Sequence, residues 1–210
     1  GGSIAWIDIG GGLRVGPRSA GAVPGAICYG KGGTEPTVTD ANLALGIYDP
    51  EYFLGGDMDL DKKKALEGIK EAVADPLDLD VIEAAHGIIQ VVNANMLRTL
   101  RAISVEKGYD VREFILMAVG GGCGVHAAEI GAELQVDAVI VPEYPGTLSS
   151  LGLLAADLRH DYVATKITTE PDPEELEEGF CRMEERGTEE ILKEGLQRES
   201  IALQRHMDLR

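Results

Sequence analysis

Two glycine runs constrain this 210-residue chain more than any other feature. The first, Gly10-Gly11-Gly12, follows Ile4-Ala5-Trp6-Ile7-Asp8-Ile9, a run that reads as a buried strand. The second, Gly120-Gly121-Gly122-Cys123-Gly124, follows Phe114-Ile115-Leu116-Met117-Ala118-Val119, which is apolar throughout. Glycine tolerates backbone conformations closed to other residues and removes the side chain that would keep a ligand away from the main chain. In the first run, a carboxylate at a strand end followed by a glycine turn can hold a metal–phosphate, which makes Asp8 a candidate catalytic and metal-binding residue and Gly10, Gly11 and Gly12 candidate phosphate contacts. The competing reading is a hairpin turn with a surface Asp. The second run lies between a strand and the helical pattern Val125–Leu134, so Gly120, Gly121 and Gly122 are candidate cofactor contacts beside a helix N-terminus. Its spacing is not that of the dinucleotide fingerprint, and no acidic residue ends the following strand. The competing reading is a close helix–strand crossing.

The rest of the pattern places these runs in an α/β chain. Leu13-Arg14-Val15 resumes the first strand after its turn, and Gly16 to Pro36 reads as a long ordered loop. Helical spacing covers Asp61–Ala74 and Leu79–Lys107, the latter with a possible kink at Gly87. Val111–Val119 and Val136–Pro142 are expected as strands buried on both faces, and with the helix between them they form a parallel βαβ unit. A helical run at Leu151–Ala156, a strand at His160–Lys166, a charged amphipathic helix at Pro173–Leu196 and a strand at Ser200–Arg210 follow. The segments 1–50, 59–157 and 158–210 are thus expected as a strand and glycine-loop part, a helical part with the βαβ unit, and a carboxy-terminal helix and strand.

The net charge of −17 repels phosphate backbones, so nucleic-acid binding is not expected. No apolar run reaches the ~18–20 residues of a membrane span. The three cysteines, Cys28, Cys123 and Cys181, are odd in number and widely spaced, which fits a reducing cytoplasm better than a disulfide framework. The chain starts at Gly1 without an initiator Met or a secretory signal, and is expected to be cut from something longer or processed.

Among single residues, His126 follows the second glycine run and is a candidate catalytic acid, base or ligand; the alternative is a helix-start His bonded to its loop. Asp40, a candidate catalytic residue after Thr37-Val38-Thr39, could bind metal or substrate, or cap a helix starting at Ala41. Cys123 reads as a small residue tolerated in a glycine turn rather than a nucleophile. Asn93 and Asn95, unfavourable inside a long helix, mark either a site-facing polar patch or a buried helix–helix hydrogen bond. His86, on an apolar helical face, reads as a core histidine.

Two glycine turns after strands, separated by helices, resemble the actin-like ATPase (ribonuclease H-like) fold, in which the earlier turn touches nucleotide phosphates and the later one adenosine. That fold has two lobes, and this chain looks like one: a mixed sheet with long packed helices. A sharper resemblance lies in the ordered segments Gly1–Asp8, Arg14–Ala22, Pro24–Gly33, Pro36–Asn42, Phe53-Leu54-Gly55-Gly56, Asn93-Ala94-Asn95-Met96, Ser104–Asp110, the His126 loop and Ser150–Asp157. Together they resemble the hydantoinase A/oxoprolinase family. The resemblance implies an ATP- and Mg²⁺-using subunit that activates a carbonyl oxygen of a cyclic amide of the hydantoin or 5-oxoproline type. It also implies a hydantoinase B-type partner subunit, and an amino-terminal lobe of the same subunit that carries an Asp-Gly-Gly-Thr phosphate turn these residues lack. The family often has Gly-Pro where this chain has Cys123-Gly124. The same family includes ATP-dependent carboxylases of acetone and acetophenone, so a small ketone is the alternative substrate, and a non-catalytic lobe serving subunit assembly is an alternative of another class.

Overall fold

A computed structural model describes residues 2–168, 170 and 172–208 of the chain. The chain divides into two compact units, Gly1–Gly152 and Leu153–Arg210.

The first unit begins with a hairpin. Strand β1 (Ser3–Ile7) pairs antiparallel with β2 (Leu13–Ser19), setting Ala5 against Val15 and Ile7 against Leu13. The strand expected to reach Ile9 stops at Ile7, and Ile9 stands fully in solvent at the turn. Helix α1 (Val38–Ala44) starts at an N-cap Thr37, and Ala5 N–H donates to Pro36 O at 2.8 Å, fixing the helix entry to β1. Helix α2 (Lys62–Ile69) is capped by Asp61 and runs through a π-turn, Lys70–Ala74, into the short α3 (Asp75–Leu77).

Helix α4 (Val81–Ile103) is the longest element of this unit. It starts at a reciprocal capping box: Asp80 Oδ1 accepts from Ile82 N–H, and Glu83 returns a carboxylate oxygen to Asp80 N–H. Its apolar stripe, Ala84, Ala85, Ile88 and Ile89, packs with Ala5, Val15, Ala41, Ile69 and Val73 into one core. The helix passes Gly87 unbroken. A Cβ there would meet Leu13 Cδ2 at 3.4 Å, so this glycine accommodates β2 rather than a kink. A second cluster, Ala26, Cys28, Leu43, Leu60 and Ala65, lies under the Gly/Pro-rich loop, which is ordered by a 3-10 turn at Ile27–Tyr29.

The βαβ unit forms as expected in sense but not in extent. Strand β3 (Leu116–Met117) pairs parallel with β4 (Val139–Ile140), and helix α5 (Gly124–Leu134) connects them. The strands expected over Val111–Val119 and Val136–Pro142 shrink to two residues each, and Val111–Glu113 is a 3-10 turn. They are not buried on both faces: Ile115 is 58% exposed, Met117 52% and Val141 55%. With two strands in this ladder among the described residues, only the α5 side is covered. The protein thus carries strand pairs of both senses, in two separate two-stranded ladders.

Helix α6 (Leu148–Ala155) covers the expected run near Leu151. In the second unit, helix α7 (Pro173–Lys193) is present, but His160–Lys166 has no ladder partner and is irregular. The strand expected at Ser200–Arg210 is a 3-10 turn, Arg198–Ser200, followed by irregular chain to residue 208; residues 209 and 210 lie outside the described residues.

Candidate nucleotide-binding site

The first glycine turn is organised by Asp8. Its Oδ1 accepts hydrogen bonds from Gly10 N–H and Gly12 N–H, both at 2.9 Å, while Gly11 N–H donates to Asp8 O at 2.9 Å. Oδ2 pairs with Arg14 Nε at 2.7 Å. Gly11, at φ +80°, needs glycine. The Gly12 amide first, and then the Arg14 side chain, hold the Asp8 carboxyl below the usual carboxylate range, so it stays ionised at neutral pH. All three glycine amides therefore turn inward on Asp8. Among the described residues no three His, Cys, Asp or Glu side chains cluster to hold a metal. Asp8 alone fits Mg²⁺ only in the manner that ion favours, with one carboxylate, its own waters and phosphate oxygens.

The second turn is built differently. Gly120 sits at φ +105° and donates to Pro145 O at 2.8 Å. The α5 N-cap, Cys123, makes no side-chain capping bond, so the first amides of α5 are left without a side-chain acceptor. A Cβ built at Gly120, Gly121 or Gly124 would meet nothing within 4 Å. The glycines are thus not making room for a packed neighbour. They leave backbone and an uncapped helix N-terminus open to approach, at the carboxyl end of β3. A Cβ built at Gly122 would meet the Tyr48 hydroxyl at 3.8 Å.

His126 is buried on α5 and bonds to α4. Its Nδ1 lies 2.8 Å from Asn93 Oδ1, and Asn93 Nδ2 donates to Glu129 Oε2 at 2.6 Å. Because Asn93 spends its amino group on Glu129, its oxygen accepts, which assigns the His126 proton to Nδ1. Desolvation lowers the His126 pKa, against the Glu129 carboxylate, and keeps the imidazole neutral at pH 7. Asn95, on the same helix α4, donates to Val15 O at 3.1 Å. Of the two readings open for these asparagines, Asn93 makes the buried helix–helix bond and Asn95 ties the helix to β2. Helix α4 thereby holds the hairpin with one asparagine and the second glycine loop's helix with the other.

Asp40 sits in the third position of α1, fully buried. Oδ2 accepts from Thr37 N–H and Thr37 Oγ1–H, each at 2.8 Å, and from Ile27 N–H at 3.3 Å; Oδ1 accepts from Cys28 N–H at 2.8 Å. The helix begins at Val38 rather than Ala41, so Asp40 completes a capping box with Thr37 and knits the preceding loop to it. The structure does not bring Asp8, His126 and Asp40 together around one another's polar atoms. Cys28 is buried beside Asp40, and desolvation followed by that charge raises its thiol far out of the nucleophilic range. Tyr48 escaped the sequence reading. It lies in the turn Gly46-Ile47-Tyr48-Asp49-Pro50, where nothing local signals its approach to Gly122.

Residues 1–162 match the family model described as Hydantoinase/oxoprolinase. The chain belongs to this family. It is 42% identical over 199 residues to the caprolactamase subunit alpha of Pseudomonas jessenii, a match that covers 93% of this chain and 29% of that relative. The chain therefore spans under a third of that relative's length. Among solved structures it is similar to the ATP-dependent caprolactamase of the same organism, at 41% identity and a TM-score of 0.70, covering 89% of this chain and 28% of that one. It is also similar to a nucleotide-free acetone carboxylase, at 30% identity and a TM-score of 0.74, covering 92% of this chain and 28% of that one. As a member of the hydantoinase/oxoprolinase family, it has the α/β fold of an actin-like lobe.

Proposed function

We propose that this chain contributes one lobe of the ATP site in an ATP-dependent cyclic-amide hydrolase, its glycine loop Gly120–Gly124 taking the adenosine end and the Asp8 turn facing the phosphates. The observation that carries the reading is the open approach to Gly120, Gly121 and Gly124 at an uncapped helix N-terminus, in a chain of this family. Bound ATP would supply a phosphoryl group to a carbonyl oxygen, turning a poorly electrophilic amide into an activated one. The chain's own residues position and neutralise. Ionised Asp8, its carboxylate fixed by Arg14, would be the residue to hold Mg²⁺ at the phosphate end, where the ion would supply charge neutralisation. His126 acts through its free Nε2, since Nδ1 is spent on Asn93; its burial makes it a base rather than an acid at neutral pH. Asp40 supports the α1 entry. The proposed setting is the cytoplasm, on the strength of three free thiols. The proposed partners are a hydantoinase B-type subunit and the amino-terminal lobe of the same subunit. Among the described residues no helix is long and apolar enough to cross a membrane.

A ketone carboxylase subunit is the second reading, favoured by the similarity to acetone carboxylase. The test is ATP hydrolysis by the complete subunit with its partner. Phosphate release stimulated by 5-oxoproline, a hydantoin or a lactam supports the hydrolase. Release that requires a ketone and bicarbonate overturns it in favour of the carboxylase. Absence of nucleotide binding in the complete assembly leaves a lobe used for assembly alone.

A further inference from the structure

Asn42 is 1% exposed, and neither its amide nitrogen nor its amide oxygen has a hydrogen-bond partner. Leaving such a group unmatched is unfavourable, so a fold that keeps one at a fixed place invites a reason. The reason lies next to it. Burial raises the pKa of the Tyr48 hydroxyl, and the neighbouring Asn42 amide opposes that shift. The Tyr48 ring is fixed against Phe53, with centroids 5.6 Å apart. Its hydroxyl faces the second glycine loop, at 3.8 Å from where a Cβ of Gly122 would stand. An amide able to donate thus neighbours a phenol whose hydroxyl approaches the open loop.

We propose that Tyr48 contacts the nucleoside end of ATP at the Gly120–Gly124 loop, with Asn42 as its positioning residue. The inference rests on the reading that this loop takes adenosine. When Asn42 Nδ2–H donates to the phenol oxygen, the phenol O–H is left to donate forward. Its acceptor is a ring nitrogen or ribose oxygen of the nucleoside. Each bond polarises the next, so the pair acts as a short relay that matches one acceptor on the ligand. A contact of this kind reads the nucleoside and not the phosphates.

The test uses the complete subunit with its partner, measuring ATP affinity, competition by inorganic tripolyphosphate and melting temperature. Tyr48→Phe keeps the ring against Phe53 and removes only the hydroxyl. It should weaken ATP about threefold to tenfold, the loss of one neutral hydrogen bond, and leave tripolyphosphate and Tm unchanged. Asn42→Leu removes an unmatched buried amide, so a purely structural pair would gain stability and bind ATP as before. The proposal expects ATP affinity to fall in this variant as well. Wild-type ATP affinity in Tyr48→Phe overturns the proposal, as does an equal loss for tripolyphosphate. Gly121→Val separates the two readings. If it weakens ATP while Tyr48→Phe does not, the loop reading stands and the Tyr48 contact fails. If Gly121→Val binds ATP normally, the loop reading itself fails.

Discussion

Asp8 and Asp40 are both carboxylates that accept backbone amides, yet their surroundings give them opposite expectations. Asp8 stands at an exposed turn, its Oδ1 holding Gly10 and Gly12 and its Oδ2 holding Arg14. An Asn in its place keeps the shape and one acceptor but loses the charge. In the complete subunit, Asp8→Asn should therefore lower ATP turnover by at least about tenfold, with Tm little changed. A wild-type rate would reduce the turn to a hairpin. Asp40 is buried, and truncating it strands the Ile27 and Cys28 amides and both Thr37 donors without water. Asp40→Ala should destabilise the fold by roughly 2–4 kcal/mol, read as a drop in the denaturant midpoint. A variant that folds as well as the parent but loses turnover would instead make Asp40 a residue of the reaction.

At the scale of elements, the glycine loop and the helix after it carry the site, and the chain's local pattern exposed them well. A strand, a glycine run and a helix could be read from apolar periodicity because each is a local property of consecutive residues. The hydrogen bond from Asn93 to Glu129 was half legible, since a polar residue inside a helix has to be matched somewhere, but its partner could not be named. Strand length was not legible. An apolar run such as Phe114–Val119 has the composition of a strand between two neighbours, whereas ladder bonds depend on which strands lie alongside, and among the described residues only β4 does. Nor was Tyr48 legible, because its meaning arises from a residue 74 positions away, Gly122, reached only through the fold. The loop gives a clean experiment. Gly121 has φ outside the left-handed region and nothing within 4 Å of an added Cβ, so a side chain there costs the fold little. Gly121→Val in the complete subunit should weaken nucleotide binding by at least about tenfold, ~1.4 kcal/mol, while Tm stays near that of the parent. Unchanged affinity, or a loss that follows unfolding, makes the loop a packing device.

For the whole molecule, the balance between what is packed and what is exposed argues that these 210 residues do not work alone. The hairpin, α1, α2 and α4 share a dense core in which Ala41, Ile69, Ala84 and Ile88 have no exposure. The β3–β4 ladder is the opposite: two residues per strand, parallel, with Ile115, Met117, Val119, Ile140 and Val141 in solvent. Parallel sheets are normally covered on both faces, and a two-stranded one is marginal by itself. The ladder nevertheless delivers the chain to Gly120–Gly124, so the proposed adenosine loop hangs from the least supported part of its unit. In the second unit, Leu153, Leu154, Val163 and Ile167 are each 80% exposed or more. The caprolactamase relative is more than three times as long as the stretch matched here. The 210-residue chain purified by itself should thus show no ATP hydrolysis dependent on a hydantoin, 5-oxoproline or a lactam. Hydrogen exchange should show why: amides of Ala118 and Leu116, bonded to Ile140 O and Ala138 O, should exchange rapidly, while those of α4 around Ile88 stay protected. Turnover at rates ordinary for enzymes, on the order of 1 s⁻¹ or above, would mean that these residues complete the reaction by themselves. Slow exchange throughout β3 and β4 without turnover would place the deficit outside this ladder, and the loop would then be ready-made for its nucleotide.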